Sequence, residues 1–480
     1  MVFDSPVFVF LFFPVLLLLY CVWPRKARNL LLLAASFLFC AWGEVHSLWV
    51  LITSILGNYA LGLIIERTHA QTSRRVILGL AVSANLALLL YYKYLRFAIV
   101  NLAALGVAGA SHFDFAGWRL PLGISFFTFA AIAYQVDIYA ARTRAERNLI
   151  DFGLYLSHFA KLVAGPIVRY RDVAGELRAR ETTLKGFAEG VQRFVIGLGK
   201  KVLVANSVAV FADEVFKNPG GIDMPTAWLG IACYTIQLYF DFSGYSDMAI
   251  GLGRMFGFTF MENFNYPYIS QSIHEFWRRW HISLSSWFRD YLYVPLGGNR
   301  VAAARAYFNL TVVFLLCGLW HGASWNFLVW GAYHGVFLVM ERAGLGRALK
   351  GLWRPLRHLY AMVVIMIGWV FFRADDLTQA FSYLRAMFSG SFDAFDYYTM
   401  TFVNKQLLLV LMVGVVGSTP VLAFLKRLRE RIEMRNHGLW LGFYDLNCAL
   451  VVVAFVICIF IASAMQLAIT TYSPFIYAKF

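Results

Sequence analysis

The sequence predicts an all-α polytopic integral membrane protein, and three observations support this fold class. First, 60% of the 480 residues are hydrophobic and 14% are charged, and the mean hydropathy is +0.63. Second, apolar runs recur from residue 7 to residue 471 with short polar breaks, and a helix of about 20 apolar residues can cross a bilayer. Third, the basic residues lie in short clusters between these runs, as in the cytoplasmic loops of membrane proteins.

The formal net charge of +15 does not indicate a nucleic-acid partner. Clusters such as Arg25-Lys26-Arg28 and Arg74-Arg75 separate apolar runs and do not form one continuous basic face. The partner that this charge pattern predicts is the lipid bilayer. The six cysteines lie in or beside apolar runs without the spacing of metal ligands, so we expect buried thiols and no metal site.

The first 110 residues predict a group of N-terminal helices, at about 7–23, 29–42, 48–65 and 76–92. The next apolar run, 97–110, is short for a full span. It can be tilted, continuous with the preceding helix, or re-entrant. No basic residue precedes the first run, which predicts a retained first helix with its N-terminus outside the cell and not a cleaved signal peptide.

Three segments in the middle of the chain combine apolar and polar residues. Residues 121–139 include Gln135 and Asp137, and polar groups at membrane depth are tolerated only against protein or a wet cavity, so this segment should be internal. Residues 152–170 include Gly165-Pro166, which should break the helix and leave carbonyl groups that need partners in a cavity wall. Residues 184–210 are amphipathic, and Arg193, Lys200 and Lys201 are expected to reach the cytoplasmic surface.

Residues 228–256 predict a long helix that carries Asp241, Ser243 and Asp247. Two carboxylates near the middle of a membrane are costly unless they are paired or hydrated. We therefore expect both to face inward. Because they are six positions apart on a helix, they should lie on different faces and do not form the carboxylate pair of a glycosidase.

Residues 276–291 predict one interfacial amphipathic helix. On a helical wheel the aromatic residues and His281 share an arc of about 120°, which places His281 on the buried side. After Arg305 the apolar run 306–320 leads to His321. If this run starts at the membrane surface, His321 lies about 22 Å along it, deep in the hydrocarbon layer. An ionisable group at such a depth is a candidate functional residue.

The remaining apolar runs, 325–340, 360–372, 406–425 and 447–470, predict further spans. The basic block 426–435 should be cytoplasmic, which places the C-terminal tail outside. In total we expect about 11 transmembrane helices, together with re-entrant and interfacial helices. We treat the chain as one domain, 1–480, with N-terminal helices in 1–110, a core that holds both histidines in 119–375 and C-terminal helices in 376–480.

His321 is the strongest candidate for chemistry. Burial disfavours the charged imidazolium, so the ring should be neutral and able to accept a proton. Gly322 leaves room beside it. Ser324 and Asn326 offer hydrogen bonds, and Trp320 and Trp325 are expected to form aromatic walls. The alternative is a histidine that only bonds a neighbouring helix. The same two interpretations apply to His281, which follows Trp280.

The common enzyme motifs are absent from the sequence. There is no His-Glu-x-x-His pair for zinc and no Walker loop for a nucleotide. Ser243 lacks the leading glycine of a nucleophile elbow. Covalent catalysis by serine is therefore not expected.

Longer strings show a family resemblance that covers nearly the whole chain. They include FDFSGYSDMAIG at 240–251, FWRRWHISLSSWFRDYLYVPLGGNR at 276–300 and GLWHGASWNFLVWGAYHG at 318–335, with LVAGPIVRY at 162–170. The sequence resembles the membrane-bound O-acyltransferase family, and within it the bacterial branch that O-acetylates alginate. The family's catalytic histidine matches His321, and the usual second polar position matches His281.

The resemblance implies acyl transfer through a central tunnel that crosses the bacterial inner membrane. The charge pattern described above would place both termini in the periplasm. The donor would be acetyl-CoA or a similar acyl thioester from the cytoplasm, used as a substrate and not as a bound cofactor. The acceptor would be extracytoplasmic: an acetyl-accepting or SGNH-type transferase protein, or the polysaccharide itself. Within this scheme Asn326 or Ser324 would orient the acceptor or stabilise the oxyanion, and His281 with Arg278 or Arg279 would bind donor phosphates.

Three alternatives remain at this stage. The acceptor can be another envelope polymer, such as peptidoglycan, cellulose or teichoic acid. A transporter or flippase would use the same inward-facing polar residues to line a substrate path without chemistry. A scaffold of a secretion complex would need neither histidine for catalysis.

Overall fold

The computed structural model describes residues 1–107, 115, 118–393, 401–421, 424, 427 and 440–469, with side chains omitted for 440–448. Helices make up the regular structure of this described part, which contains no strand. The N-terminal helices are α1 (Phe8–Val22), α2 (Arg28–Ala41), α3 (Val45–Arg67) and α4 (Gln71–Ala104). The prediction of helices in this region is therefore confirmed.

Helix α4 decides between the three interpretations of the run 97–110. It continues from Gln71 to Ala104 without a break, so this run is continuous with the preceding helix as far as Ala104. A π-helical segment, Leu90–Tyr94, lies within it. Such a segment widens one helical turn without ending the helix. Residues 108–110 lie outside the described residues.

The internal position predicted for residues 121–139 and the helix break predicted at Gly165-Pro166 are both confirmed. Helix α5 (Ile124–Tyr139) is buried along most of its length, and the side-chain amide of Gln135 donates to the Asn58 carbonyl of α3 at 2.8 Å. The chain then forms α6 (Leu149–Ser157), α7 (Phe159–Leu162) and α8 (Tyr170–Arg178). Residues 163–169, which include Gly165-Pro166, are buried and not helical.

Helices α9 (Leu184–Lys217) and α10 (Met224–Met255) form a tightly packed central pair. A Cβ atom added at Gly197 would lie 2.6 Å from the Gly244 carbonyl oxygen, so neither position has space for a side chain. This close approach of two helix backbones is typical of small residues at membrane helix interfaces.

The prediction that Lys201 reaches the cytoplasmic surface is wrong. Its side chain is buried, and its Nζ lies 2.7 Å from Asp241 Oδ1. Lys200 Nζ lies 2.6 Å from Asp247 Oδ2, and Arg193 also binds this carboxylate. Both aspartates are therefore paired, which is one of the two conditions under which carboxylates are tolerated inside a membrane. Lys201 pairs with Asp241 and does not reach the surface, because an unpaired carboxylate inside the bundle costs more free energy than an ordered lysine side chain.

The second half of the chain continues as further helices. They are α11 (Ile273–Arg279), α12 (Ile282–Phe288), α13 (Ala303–His321), α14 (Trp325–Met340), α15 (Gly346–Gly351), α16 (Arg354–Arg373), α17 (Leu377–Met387), α18 (Lys405–Gly417) and α19 (Trp440–Ile469). The single helix predicted over 276–291 is wrong, because the chain breaks between α11 and α12 at His281.

In the described part of the chain, six helices are long and apolar enough to cross a membrane: α3, α4, α9, α13, α16 and the portion Ala449–Ile469 of α19. Helices α1, α5 and α18 are apolar but shorter. The expected total of about 11 spans stays a prediction. Most of the basic block 426–435 and the whole tail 470–480 lie outside the described residues.

Candidate active site

The fold brings the two candidate histidines together. The ring centroids of His281 and His321 are 6.3 Å apart, although 40 positions separate them in the chain. His321 is the last residue of α13, and His281 forms the junction between α11 and α12. Both side chains are buried, with 0% of His281 and 1% of His321 exposed.

The backbone at His281 adopts a left-handed conformation, with φ 44° and ψ 55°. Few residues other than glycine adopt it, although histidine and asparagine are enriched among those that do. Asn263 holds the junction from one side: its carbonyl oxygen accepts from the backbone N–H of Ile282 at 2.9 Å, and its side chain accepts from the Ser283 hydroxyl at 2.9 Å. This residue was not among the predicted site residues.

Aromatic rings surround the histidine pair. Trp320 flanks both histidines, with its centroid 4.9 Å from His321 and 5.8 Å from His281. Trp330 and Phe372 contact the His321 ring at 5.1 and 5.3 Å, and Phe242 contacts the His281 ring at 4.7 Å. We call Trp320, Trp330, Phe372 and Phe242 the ring cage. Only Trp320 was predicted, because the other three belong to helices whose contacts the sequence does not specify.

Trp280 is buried but does not contact His321 directly in the ring contacts described. Its ring packs on Trp369 at 5.0 Å and on Phe276 at 5.5 Å. It therefore anchors the α11 end of the junction that carries His281. Its neighbours Arg278 and Arg279 point elsewhere: Arg278 is exposed, and Arg279 pairs with Glu275 at 2.9 Å.

The residues that follow His321 are placed differently from the prediction. The Trp325 side chain is 54% exposed and donates to the Asn101 side chain at 2.9 Å, so it forms no wall of the ring cage. The expected room beside Gly322 is occupied, since a Cβ there would lie 2.2 Å from the Phe327 ring. Asn326 is buried and donates to the Ala374 carbonyl at 2.7 Å. Ser324, half-buried, precedes α14.

A cavity of about 1010 Å³ opens beside this site, between α9, α10, α18 and the loop around Asn263. Ser243, Asp247, Arg193 and Lys200 are among its lining residues, and Ile282 lines it next to His281. Neither histidine lines it, nor do Asp241, Arg278 or Arg279. A tunnel that continues past both histidines through the whole molecule stays a prediction.

Lys93 is a further residue near the site that was not predicted. Its side chain is 9% exposed, and its Nζ donates to the Trp320 carbonyl at 2.5 Å. The sequence carries a signal for Lys93, since it is a lysine inside the apolar run of α4. A buried lysine needs polar partners and is therefore a candidate site residue.

Apolar helices long enough to span a bilayer define a multi-pass membrane protein, and the adjacent buried side chains of His281 and His321 give its bundle the features of an enzyme site. The model of the MBOAT, membrane-bound O-acyltransferase family matches residues 37–372. This chain belongs to that family and is an O-acyltransferase.

Similar proteins cover most of the chain. It is 48% identical over 419 residues to the probable alginate O-acetylase AlgI of Azotobacter vinelandii, a match that covers 86% of this chain and 82% of the relative. It is 43% identical over 500 residues to the protein of the same name from Pseudomonas putida, with 100% of both chains covered. It is 38% identical over 423 residues to the peptidoglycan O-acetyltransferase of Helicobacter pylori, which covers 81% of this chain and 80% of the relative.

Proposed function

We propose that this protein acetylates alginate: it takes acetyl groups from a cytoplasmic thioester such as acetyl-CoA and passes them across the bacterial inner membrane to an extracytoplasmic acceptor. The observation that carries the proposal is the buried pair of His281 and His321, 6.3 Å apart, in a chain that is 48% identical to a probable alginate O-acetylase. The acceptor receives the acetyl group directly or through a periplasmic SGNH-type or acetyl-accepting partner protein.

In the proposed reaction His321 acts as the general base. A ring nitrogen takes the proton of the acceptor hydroxyl while the hydroxyl oxygen attacks the thioester carbonyl carbon. The carbon–sulfur bond of the tetrahedral intermediate then breaks, and the thiolate leaves with the proton from the imidazolium. Ser324 is the better candidate to orient the acceptor, because the side-chain amide of Asn326 already donates to the Ala374 carbonyl. An acetyl-histidine intermediate is the alternative, and a trapped acetyl adduct on His321 would establish it.

The close packing of the ring cage favours transfer of a short acyl group over a long one. Trp320, Trp330 and Phe372 all lie within 5.3 Å of the His321 ring, centroid to centroid. Protein interiors are close-packed, so a long acyl chain beside these rings would require displacement of large side chains. An acetyl group adds one methyl group to the carbonyl and needs the least displacement.

The cavity beside Ile282 is the proposed donor path. It has the size of sites that bind small molecules and cofactors. Arg193 and Lys200, which line it, are better placed to meet donor phosphates than Arg278 and Arg279, which do not. Both basic groups are already bound to Asp247, so a bound phosphate would share them with this carboxylate.

The second candidate acceptor is peptidoglycan, which the 38% identity to a peptidoglycan O-acetyltransferase favours. The two acceptors share the same chemistry at His321 and differ outside the membrane. We place both termini in the periplasm because the basic loops between the N-terminal helices should face the cytoplasm. Membership of the acyltransferase family favours an enzyme over the transporter and scaffold alternatives.

The test is the acetyl content of secreted alginate in cells that produce His321→Ala or His281→Ala at the same membrane abundance as the wild type. We expect acetylation to fall at least about 100-fold for His321→Ala, the order expected when a general base is lost. His46→Ala is the control, since His46 is exposed and bonds only Tyr92 in the contacts described. Normal acetylation of alginate by His321→Ala would contradict the proposal. Loss of peptidoglycan acetylation with unchanged alginate would select the second acceptor.

A further inference from the structure

Two adjacent residues of α4 hold the last turn of α13, the turn that ends at His321. Tyr94 Oη donates to the Leu319 carbonyl at 2.6 Å, and Lys93 Nζ donates to the Trp320 carbonyl at 2.5 Å. The last carbonyl groups of a helix have no partner within the helix and must be satisfied from outside. Lys93 and Tyr94 therefore supply the partners for two consecutive carbonyls directly before His321.

Lys93 is held in place by more than this one bond. Its Nζ also donates to the Ser125 hydroxyl of α5 at 3.1 Å, and it lies 5.7 Å from the centroid of the Trp320 ring. No ion pair in the described part of the chain includes Lys93. Its amino group instead lies at the C-terminal end of α13, where the helix dipole favours the protonated form. A buried ammonium without a carboxylate partner is costly, which argues that its position serves the site.

Both residues lie in the π-helical segment of α4, and both side chains reach the same turn of α13. Lys93 and Tyr94 are the last two residues of Leu90–Tyr94. Neighbouring residues of a regular helix point about 100° apart, whereas these two reach carbonyls of one turn of α13. π-Helical segments within α-helices occur frequently at functional sites.

We propose that Lys93 and Tyr94 are positioning residues for His321, so that an N-terminal helix sets the geometry of acyl transfer. His321 is the terminal residue of α13, and Gly322 follows it in extended conformation. Without these two bonds the last turn is free to fray, and the imidazole moves relative to the thioester carbonyl. A misplacement of about 1 Å in a reacting group can lower a rate about 100-fold. The inference rests on the proposed role of His321.

The experiment measures transfer of radiolabelled acetyl from acetyl-CoA to oligomannuronate in detergent-solubilised membranes that contain each variant and the native partner proteins. We expect kcat to fall about 10-fold for Tyr94→Phe and about 100-fold for Lys93→Met, while KM for acetyl-CoA changes less than about twofold. Tyr94→Phe is isosteric and removes only the bond to Leu319, so it tests the idea without a change of packing.

Two control variants remove the same kinds of bond away from the site. Tyr383→Phe deletes a hydroxyl that donates to the Ala227 carbonyl at 2.8 Å. Arg74→Met deletes a cation that donates to the Tyr139 carbonyl at the end of α5, at 3.0 Å. Both controls should keep kcat within about twofold, because neither bond supports the turn that carries His321.

The outcomes separate this inference from the proposed function. If Lys93→Met and Tyr94→Phe keep the wild-type kcat while His321→Ala is inactive, the positioning role is wrong and the proposed function stands. A rise in KM without a fall in kcat, or an equal loss in the two controls, also overturns it. If His321→Ala transfers acetyl normally, the proposed function itself is wrong.

Discussion

At the scale of single residues, His281 combines a proposed role in the active site with a demanding backbone conformation. Its φ of 44° lies in the left-handed region, which costs most residues about 1–2 kcal/mol. Strained conformations persist where the surroundings determine them, and they cluster at functional sites. The sequence indicated that His281 is buried, and this is confirmed. The break in the helix was not foreseen, because histidine is no strong helix breaker.

Because of this backbone conformation, two substitutions of His281 should differ in the amount of folded protein although both abolish activity. His281→Asn should keep the wild-type amount of folded protein, because asparagine tolerates the left-handed region. His281→Val should lower it, since a β-branched residue is disfavoured there. Both should lose acetyl transfer. The readout is the monodisperse fraction in size-exclusion chromatography of the solubilised protein. Equal yields of the two variants would show that the backbone at residue 281 is not restrictive.

At the scale of secondary-structure elements, the pair α13 and α14 depends on glycine contacts. A Cβ at Gly331 would lie 2.3 Å from the Phe314 carbonyl oxygen, and a Cβ at Gly318 would lie 2.2 Å from the Phe327 carbonyl oxygen. These are backbone atoms of the opposing helix, which cannot move aside as a flexible side chain can. Because Gly318 lies three residues before His321, the spacing of the two helices also sets the position of the imidazole.

Gly331→Ala should therefore push the helices apart and lower both stability and acetyl transfer. We expect a loss of about 1–3 kcal/mol in the free energy of unfolding, the usual cost of an overpacked core. The matched control is Gly335→Ala, on the same helix, where the nearest atom would be the Phe314 Cβ at 3.4 Å. Thermal unfolding of the purified proteins measures the difference. A Gly335→Ala protein that is less stable than Gly331→Ala would refute this account of the interface.

At the scale of the whole molecule, the ring cage exists only in the assembled bundle. Phe242 comes from α10, Trp320 from α13, Trp330 from α14 and Phe372 from α16. No local sequence pattern links these positions, and the relative placement of four helices creates the enclosure around the histidines. Acyl-chain selectivity should therefore be a property of the complete fold.

Removal of one ring should admit a larger acyl group. Phe372→Ala should raise the ratio of butyryl transfer to acetyl transfer at least about tenfold, with a stability loss of about 3–5 kcal/mol from the cavity. Phe371→Ala is the control, because Phe371 is equally buried but packs on Tyr333 and Phe381 instead of His321. Competition between acetyl-CoA and butyryl-CoA measures the ratio. An unchanged ratio in Phe372→Ala would mean that the ring cage does not limit chain length.

The amino-acid sequence alone determined the membrane class, most helix positions, the internal placement of α5 and the burial of both histidines, because hydropathy and helical periodicity are local properties that a membrane enforces. Tertiary structure alone decided the proximity of His281 to His321, the burial of Lys201 against Asp241, and the hydrogen bonds of Lys93 and Tyr94 to the helical turn that ends at His321. These contacts join residues far apart in the chain, and their geometry depends on how helices pack, which no local pattern records.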